Sequence, residues 1–145
     1  MANERLLIGE ILLKRKNITQ EQLNHALEVQ KKEGGIVGEL LVKLGYLEER
    51  DIVVALVVQC GLPYIAVNKY TIEPDILKLI PKATAQQERL IALDKIGDVL
   101  SVVMTNPLSD ERKKELEALT KCKVATFIST KAEIEEAIAK NYANI

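Results

Sequence analysis

Few residues in this chain could carry out acid–base, nucleophilic or metal chemistry, and they are scattered. His25 is the one histidine, and no cysteine or carboxylate cluster surrounds it at metal-ligand spacing. Cys60 and Cys122 lie far apart among apolar or helix-end residues, where small buried side chains are expected and a disulfide is not. The carboxylates occur mostly among lysines, as in "DERKKELE", where i, i+4 pairs on solvated helix faces explain them. The inventory predicts that this chain is not an enzyme and that His25 lies at a surface or an interface.

Composition also constrains the binding partners. The chain has no G-x-x-x-x-G-K-[ST] sequence, whose backbone amides and lysine hold nucleoside triphosphates. Its net charge is −1 and only 3% of its residues are aromatic, so it lacks the clustered cations and stacking side chains that nucleic acids require. We therefore expect no DNA or RNA partner, no metal and no cofactor.

The bulk properties indicate a globular chain. Its 145 residues are 48% hydrophobic and 28% charged, and no apolar run is long enough to span a bilayer. The N-terminal sequence has an acidic residue before its apolar segment and no small-residue cleavage site, so a secretory signal is not indicated. A cytoplasmic location is expected.

The most informative pattern is a repeat within the first 60 residues. The stretches "IGEILLKRKNITQEQLNHALEVQ" and "VGELLVKLGYLEERDIVVALVVQ" align with a constant offset of 29 residues. The apolar positions of each copy step by three and four, and each copy breaks once near its middle, which predicts two helical hairpins. The aligned residues are Gly9, Leu12, Leu13, Leu23, Ala26, Leu27 and Gln30 in the first copy, and Gly38, Leu41, Val42, Ile52, Ala55, Leu56 and Gln59 in the second.

The break inside each copy has its own signals. In the first copy, Thr19 followed by Gln22 is a capping-box pattern, so a helix is expected to begin near Thr19. In the second copy, Gly45 can adopt the left-handed conformation that ends a helix, and acidic residues open the next helix. The sequence "CGLP" after Gln59 predicts the end of the helical region.

The paired glycines require an explanation, because a glycine inside a helix costs roughly 1 kcal/mol relative to alanine. Gly9 and Gly38 each precede a run of aliphatic residues, so something is expected to approach their backbone closely. One explanation is another helix. The other is a flat ligand that lies against uncovered main chain and leucines, with a glutamine at the far end of each copy able to donate and accept hydrogen bonds.

The second half of the chain has a different period. "PYIAVN" is predicted to be a short strand, "EPDILKLIPKATA" one or two short helices, and "ERLIALDKIGDVLSVVMT" two strands joined by a Gly-Asp turn. A helix capped by Ser109, a strand "KVATFIS" and a helix opened by a Thr130–Glu133 capping box follow. The predicted fold class is α+β, with four helices in two repeated hairpins (residues 1–61) packed on a small α/β sandwich-like subdomain (residues 62–145).

The tandem 24-residue units, residues 7–30 and 36–59, resemble the motif of MshEN domains, the N-terminal modules of type II secretion and type IV pilus assembly ATPases. The later "VLSVVMTNPLSD", "KVATFIS" and the closing helix resemble the rest of such a domain. In that family the tandem motif binds cyclic di-GMP. The resemblance implies these ligand-binding residues: Gly9, Leu12, Leu13, Leu23, Leu27, Gln30, Gly38, Leu41, Val42, Ile52, Leu56 and Gln59.

The sequence departs from the family pattern at two kinds of position. The unit commonly opens with arginine in the family, and here Leu7 and Ile36 stand at that position. The mid-unit glycine is Gly45 in the second copy, whereas Lys16 replaces it in the first. A hydrogen bond to a charged group contributes about 1.5–3 kcal/mol, so the missing arginines would weaken nucleotide binding.

Three functions remain in competition. The resemblance implies a noncatalytic adaptor that docks onto the cytoplasmic domain of an inner-membrane secretion or pilus platform protein, with an ATPase domain in cis and a peripheral place at the inner membrane through that partner. The alternative is a sensor module with cyclic di-GMP as its regulatory ligand. The third is a duplicated hairpin whose glycines serve helix packing alone.

Overall fold

A computed structural model gives the architecture of residues 4–143; the side chains of residues 4–8, Gln59 and Cys60 lie outside what it describes. The chain forms two units, Met1–Gly61 and Leu62–Ile145. The first unit contains only helices among its described elements, and the second combines helices with a three-stranded sheet. The predicted α+β fold class is confirmed.

The first unit consists of four helices in two hairpins. Helix α1 spans Glu4–Lys14, α2 spans Gln20–Glu33, α3 spans Val37–Lys43 and α4 spans Glu49–Cys60. Helix α1 packs against the other three helices, and α2 also packs against α3. The core of this unit consists of Leu12, Ile18, Leu23, Ala26, Val37, Leu40, Leu41, Leu47, Ala55 and Leu56.

The predicted break of the first repeat is confirmed at atomic detail. Thr19 is the N-cap of α2, and its Oγ1 accepts a hydrogen bond from the amide of Gln22 at 3.2 Å. The Gln22 side chain accepts from the Thr19 amide at 2.9 Å, which completes the capping box. Helix α4 ends at Gly61, whose φ of 67° is left-handed, as the "CGLP" sequence predicted.

The second unit begins with three short helical segments, at Val67–Lys69 (a 3-10 turn), α5 (Pro74–Leu77) and α6 (Lys82–Glu88). Strands β1 (Leu90–Ile96) and β2 (Val99–Met104) follow, then α7 (Asp110–Thr120), β3 (Lys123–Ile128) and α8 (Lys131–Tyr142). The sheet order is β1-β2-β3. Strands β1 and β2 are antiparallel, whereas β2 and β3 are parallel with Leu100 opposite Val124.

Local sequence signals place most of these elements correctly. Gly97 has a φ of 61° in the two-residue turn between β1 and β2, which confirms the predicted hairpin. Ser109 caps α7 by accepting from the Arg112 amide at 3.2 Å. Thr130 and Glu133 form the predicted capping box of α8.

The prediction of a strand at residues 63–68 is wrong. This segment makes a single parallel bridge, between Tyr64 and Ile128, with Ile65 donating to the Ile128 carbonyl at 2.9 Å. The ladder cannot continue because β3 ends at Ile128 and the chain turns into α8. The amide of Val67, two residues after Ile65, instead donates to the Ser129 hydroxyl at 3.3 Å. A 3-10 turn begins at Val67.

Candidate functional site

The equivalent glycines of the two repeats are both buried, and each faces a side chain of its own repeat. A Cβ on Gly9 would lie 3.0 Å from Cδ1 of Leu23, and a Cβ on Gly38 would lie 3.3 Å from Cδ1 of Ile52. Leu23 and Ile52 are themselves equivalent, one on the second helix of each hairpin. The close approach predicted from sequence is therefore real, and the approaching group is the partner helix of the hairpin.

Of the two explanations for these glycines, contact with another helix is the one that the structure supports, because the partner helix packs against both. Leu12 and Leu41, at equivalent positions, have no exposed surface, and Leu56 is also buried. The aliphatic members that retain some surface are Leu13, Val42, Ile52 and Leu27. Apart from Gln59, whose side chain lies outside the described residues, the residues named from the family resemblance thus divide into a buried packing set and a half-buried set, and their ligand binding stays a prediction.

Gln30, the glutamine at the end of the first repeat, makes a hydrogen bond at the junction of the repeats. Gln30 is half-buried, and its Nε2 donates to the carbonyl of Gly35 at 2.9 Å. This bond closes the turn between the two hairpins, in which Gly34 has a φ of 74°. The side chain of Gln59 lies outside the described residues. The described glutamine therefore has a local structural partner at the junction of the repeats.

The departure from the family pattern at Lys16 leaves the backbone geometry of the repeat unchanged. Lys16 has a φ of 62° and its equivalent Gly45 has a φ of 81°. Both residues make the turn that ends the first helix of their hairpin, with amides donating to Leu13 and Val42 at 3.1 and 3.0 Å. The lysine therefore adopts a left-handed conformation that glycine adopts without steric strain.

His25 is exposed, in agreement with its predicted surface or interface position, and it contacts a residue of the second repeat. Its Nδ1 lies 2.5 Å from the Tyr46 hydroxyl, and the two ring centroids are 5.8 Å apart. Among the described residues no group of three or more His, Cys, Asp or Glu side chains could hold a metal ion. The contact with Tyr46 gives His25 a structural role at the junction of the two hairpins.

One face of α4 is apolar and solvent-exposed. Val54, Val57 and Val58 follow the i, i+3, i+4 spacing of a single helix face, and their exposed fractions are 42%, 36% and 61%. We call these three residues the valine stripe. These aliphatic side chains form a small apolar patch on one helix face.

The second unit holds its short elements together with buried polar side chains that the sequence did not reveal. Asn141 on α8 is buried; its Oδ1 accepts from the Ile72 amide and its Nδ2 donates to the Ala137 carbonyl, both at 2.9 Å. Ser129 has no exposed surface, and its hydroxyl donates to the Ile65 carbonyl. These bonds fasten the irregular segment before α5 to the β3–α8 junction through Ser129 and to the C-terminal end of α8 through Asn141.

Two tyrosines of this unit have shifted pKa values. The Tyr64 hydroxyl donates to Oε2 of Glu133 at 2.5 Å, and that bond, with burial and the carboxylate charge, raises the pKa of Tyr64 to about 12. Burial raises the pKa of Tyr142 to about 12, and its hydroxyl donates to the Ile80 carbonyl at 2.6 Å. Both hydroxyls act as structural donors in this unit.

A groove of about 370 Å³ lies between α6 and α8 and carries both charge and apolar surface. Its lining comes from one face of each helix, and Arg89, directly after α6, has a left-handed φ of 57°. We call it the α6–α8 groove, lined by Lys82, Gln86, Arg89, Glu135, Ile138 and Ala139.

A second, smaller recess of about 200 Å³ lies beside α7, lined in part by Leu108 and Leu116. Arg112 at its rim contacts both Glu88 and Glu115, and the bond to Glu88 is the main cause that raises the pKa of its guanidinium. The guanidinium of Arg112 thus forms ion pairs with both carboxylates that line this recess.

Comparison with known proteins identifies the class of the chain. The sequence model of the MshEN domain matches residues 60–145, which contain the whole sheet and the helices around it. Because this match covers more than half of the chain, the chain belongs to the MshEN domain family. No described helix has the length and apolarity that crossing a membrane requires.

The curated relatives are type IV pilus assembly ATPases. PilB of Myxococcus xanthus is 35% identical over 136 residues, which are 94% of this chain and 24% of that protein. PilB of Thermus thermophilus is 33% identical over 140 residues, which are 95% of this chain and 16% of that protein. The chain therefore spans about a quarter or less of the length of these relatives.

Solved structures share the fold of the chain. The N-terminal domain of XpsE matches with a TM-score of 0.78 at 19% identity, covering 97% of each chain. A structure of MshE with cdg matches with a TM-score of 0.71 at 24% identity, covering 93% of this chain and 98% of MshE's. Both likenesses extend over the helical repeats as well as the sheet.

Proposed function

We propose that this chain is a noncatalytic adaptor domain of a pilus or secretion ATPase and that it docks on the cytoplasmic domain of an inner-membrane platform protein. The observation that carries the proposal is the valine stripe. Three exposed valines on one helix face form an apolar centre of the kind that protein interfaces bury, and α4 carries polar residues at its first turn that would lie at the rim.

The family supports the same proposal. The relatives are ATPases several times longer than this chain, so an ATPase domain in cis would supply the catalysis. The chain would then connect the platform protein to the ATPase domain by binding the platform protein, without a catalytic step of its own.

A titration of the 145-residue chain with the cytoplasmic domain of the matching platform protein tests this role. We expect saturable association, and no association at tens of micromolar, already weak by ordinary affinity arithmetic, would contradict it. Val58→Glu places a charge in the stripe and is expected to weaken association at least tenfold. Leu119→Glu makes the same charge change at an exposed aliphatic residue of α7 and is expected to leave association unchanged.

The second candidate is a cyclic di-GMP sensor, favoured by the preserved two-fold equivalence of the repeats and by the fold shared with MshE. The half-buried equivalent residues Leu13 and Val42 are members of the predicted site with surface to offer a ligand. Calorimetry with cyclic di-GMP separates the two roles. Saturable heats that vanish in Leu13→Ala/Val42→Ala would support the sensor, and flat heats for the unsubstituted chain would exclude it.

A further inference from the structure

The outer face of α4 is apolar where the equivalent face of α2 is polar. At the constant offset of 29 residues between the repeats, the residues of α2 that align with the valine stripe are His25, Glu28 and Val29. The two polar residues, His25 and Glu28, are exposed, as are their equivalents Val54 and Val57. Because α2 forms the same helix of the hairpin with a polar outer face, the hairpin fold does not require the valines.

Arg50 lies on the same side of α4 as the valine stripe. It precedes Val54 by four residues, the spacing at which side chains are neighbours on a helix. Arg50 is exposed, and no ion pair or side-chain hydrogen bond engages it within the described part of the chain. Its equivalent in α2 is Glu21, so the charge on this face is reversed between the repeats. We call Arg50 and the valine stripe together the α4 face.

The stability of α4 does not explain these residues. Arg50 lies in the first turn, where the partial positive charge of the helix N-terminus favours a carboxylate, such as that of Glu21 in α2, and disfavours a cation. Valine is a weaker helix former than alanine, glutamate or lysine, because its branched side chain loses rotamer freedom in a helix. Both features therefore oppose the local preference of the helix, and a contact outside the chain would account for them.

The middle of α4 has the composition of a helix that is covered on all sides. Its sequence "IVVALVV" at residues 52–58 contains no polar side chain, whereas "LNHALEV" at residues 23–29 of α2 is amphipathic. A helix that is apolar all round is typical of a buried helix. The inner side of α4 is covered by the core of its own unit, where Ala55 and Leu56 are buried. The outer side is the valine stripe.

We propose that the α4 face binds an amphipathic segment of the partner protein that places a carboxylate against Arg50 and aliphatic side chains against the valine stripe. The inference rests on the proposed docking function and gives the chemistry of the partner's contact. A guanidinium forms paired hydrogen bonds with one carboxylate, and arginine is enriched among the residues that dominate interface energies. A second copy of the chain, packed face to face by a two-fold axis, would offer the same four side chains and no carboxylate.

Calorimetric titration of the 145-residue chain with the cytoplasmic domain of the matching platform protein tests this chemistry. Arg50→Glu is expected to weaken association at least tenfold, as the loss of one charged contact does. Arg50→Lys keeps the charge without the planar fork and is expected to weaken association only severalfold. Glu21→Arg, the opposite charge change at the equivalent residue of α2, is the matched control and is expected to leave association unchanged.

Thermal unfolding separates a binding role of Arg50 from a structural one. Arg50→Glu is expected to unfold at or above the temperature of the unsubstituted chain, because glutamate suits the first turn of a helix. Association of the unsubstituted chain should weaken as salt rises, and Arg50→Ala should flatten that dependence. Weaker association together with a lower unfolding temperature in Arg50→Glu would assign Arg50 a structural role and overturn the proposal.

The outcomes distinguish the carboxylate contact from the docking function on which it rests. If Val58→Glu weakens association while Arg50→Glu binds as the unsubstituted chain does, docking stands and the carboxylate contact is wrong. If the unsubstituted chain does not bind, both fail. Sedimentation of the chain alone tests the other occupant: self-association that Val58→Glu abolishes would assign the α4 face to a second copy and overturn the proposal.

Discussion

Leu23 lies against Gly9 so closely that its Cδ1 atom stands 3.0 Å from the place where a Cβ would be. Ile52 stands in the same relation to Gly38 at 3.3 Å. The repeat therefore preserves a contact between the two helices of a hairpin, in which the first helix contributes a glycine and the second an aliphatic side chain. The two distances lead to different expectations for the two glycines.

Gly9→Ala is expected to lower the free energy of unfolding by about 1 kcal/mol, because overpacking costs about 1–3 kcal/mol and alanine returns about 1 kcal/mol of helix propensity. Gly38→Ala, with the looser contact, is expected to stay within about 0.5 kcal/mol of the unsubstituted chain. Urea unfolding measures both. In a Leu23→Ala background the Gly9→Ala change should become stabilising, and a persistent loss there would contradict the contact as its cause.

Lys16→Gly is expected to stabilise the chain by about 0.5 kcal/mol. A left-handed non-glycine residue costs about 1–2 kcal/mol, and the greater freedom of glycine in the unfolded chain offsets part of the gain. The reciprocal change, Gly45→Ala, is expected to cost about 1 kcal/mol, since it forces alanine into a φ of 81°. Thermal and urea unfolding of both variants give the two signs. If Lys16→Gly destabilised the chain, the lysine side chain would contribute more to the free energy of unfolding than its left-handed backbone conformation costs.

Asn141→Ala is expected to lower the free energy of unfolding by about 2 kcal/mol, because it leaves the buried amide of Ile72 without its acceptor. Asn24→Ala on α2 removes an exposed asparagine that accepts a bond from Gln20, and it is expected to cost less than about 0.5 kcal/mol. Urea unfolding of the two variants gives the comparison. Equal losses would contradict the role assigned to Asn141.

Stability is expected to fall at alkaline pH through the tyrosines of the second unit. The folded pKa of Tyr142, about 12, lies above its ordinary value of 10.0, so the folded state favours the neutral phenol. That contribution is fully present below pH 10.0 and is lost as the pH rises toward 12. Tyr64 acts in the same direction.

Urea unfolding at several pH values across this window, with ultraviolet titration of tyrosinate, measures the effect. Tyr142→Phe should flatten part of the alkaline decline while it lowers stability at neutral pH, because the bond to Ile80 is lost. An alkaline decline identical in Tyr142→Phe would assign the effect to Tyr64 or to other groups.

Sequence reasoning succeeded where structure is decided locally. The caps at Thr19, Ser109 and Thr130 and the turn at Gly97 depend on residues within three positions of one another, and all four are confirmed. The helical period of the repeats was equally local. The family resemblance then connected these elements to a known fold.

The failures have a common physical origin in contacts between distant residues. The strand predicted at residues 63–68 was lost because its partner strand ends at Ile128, which no pattern near residue 63 reveals. The roles of Ser129 and Asn141 depend on amides more than 60 positions away, as their separations of 62 and 69 residues show. The contacts that Leu23 and Ile52 make with Gly9 and Gly38 likewise depend on which side chains of the second helix face the first helix, and the local sequence of the first helix does not reveal this.

The attachment of residues 63–72 to the end of the unit has a consequence for how the protein is made. Pro63 and Ile65 bond with Ile128, and Ile72 bonds with Asn141, so the opening stretch of the second unit finds its partners only after β3 and then the closing helix have been translated. At about 5–20 residues per second, that wait lasts several seconds. These high-contact-order bonds are expected to form late, leaving the opening stretch accessible to chaperones on the ribosome while the β1–β2 hairpin is already able to assemble.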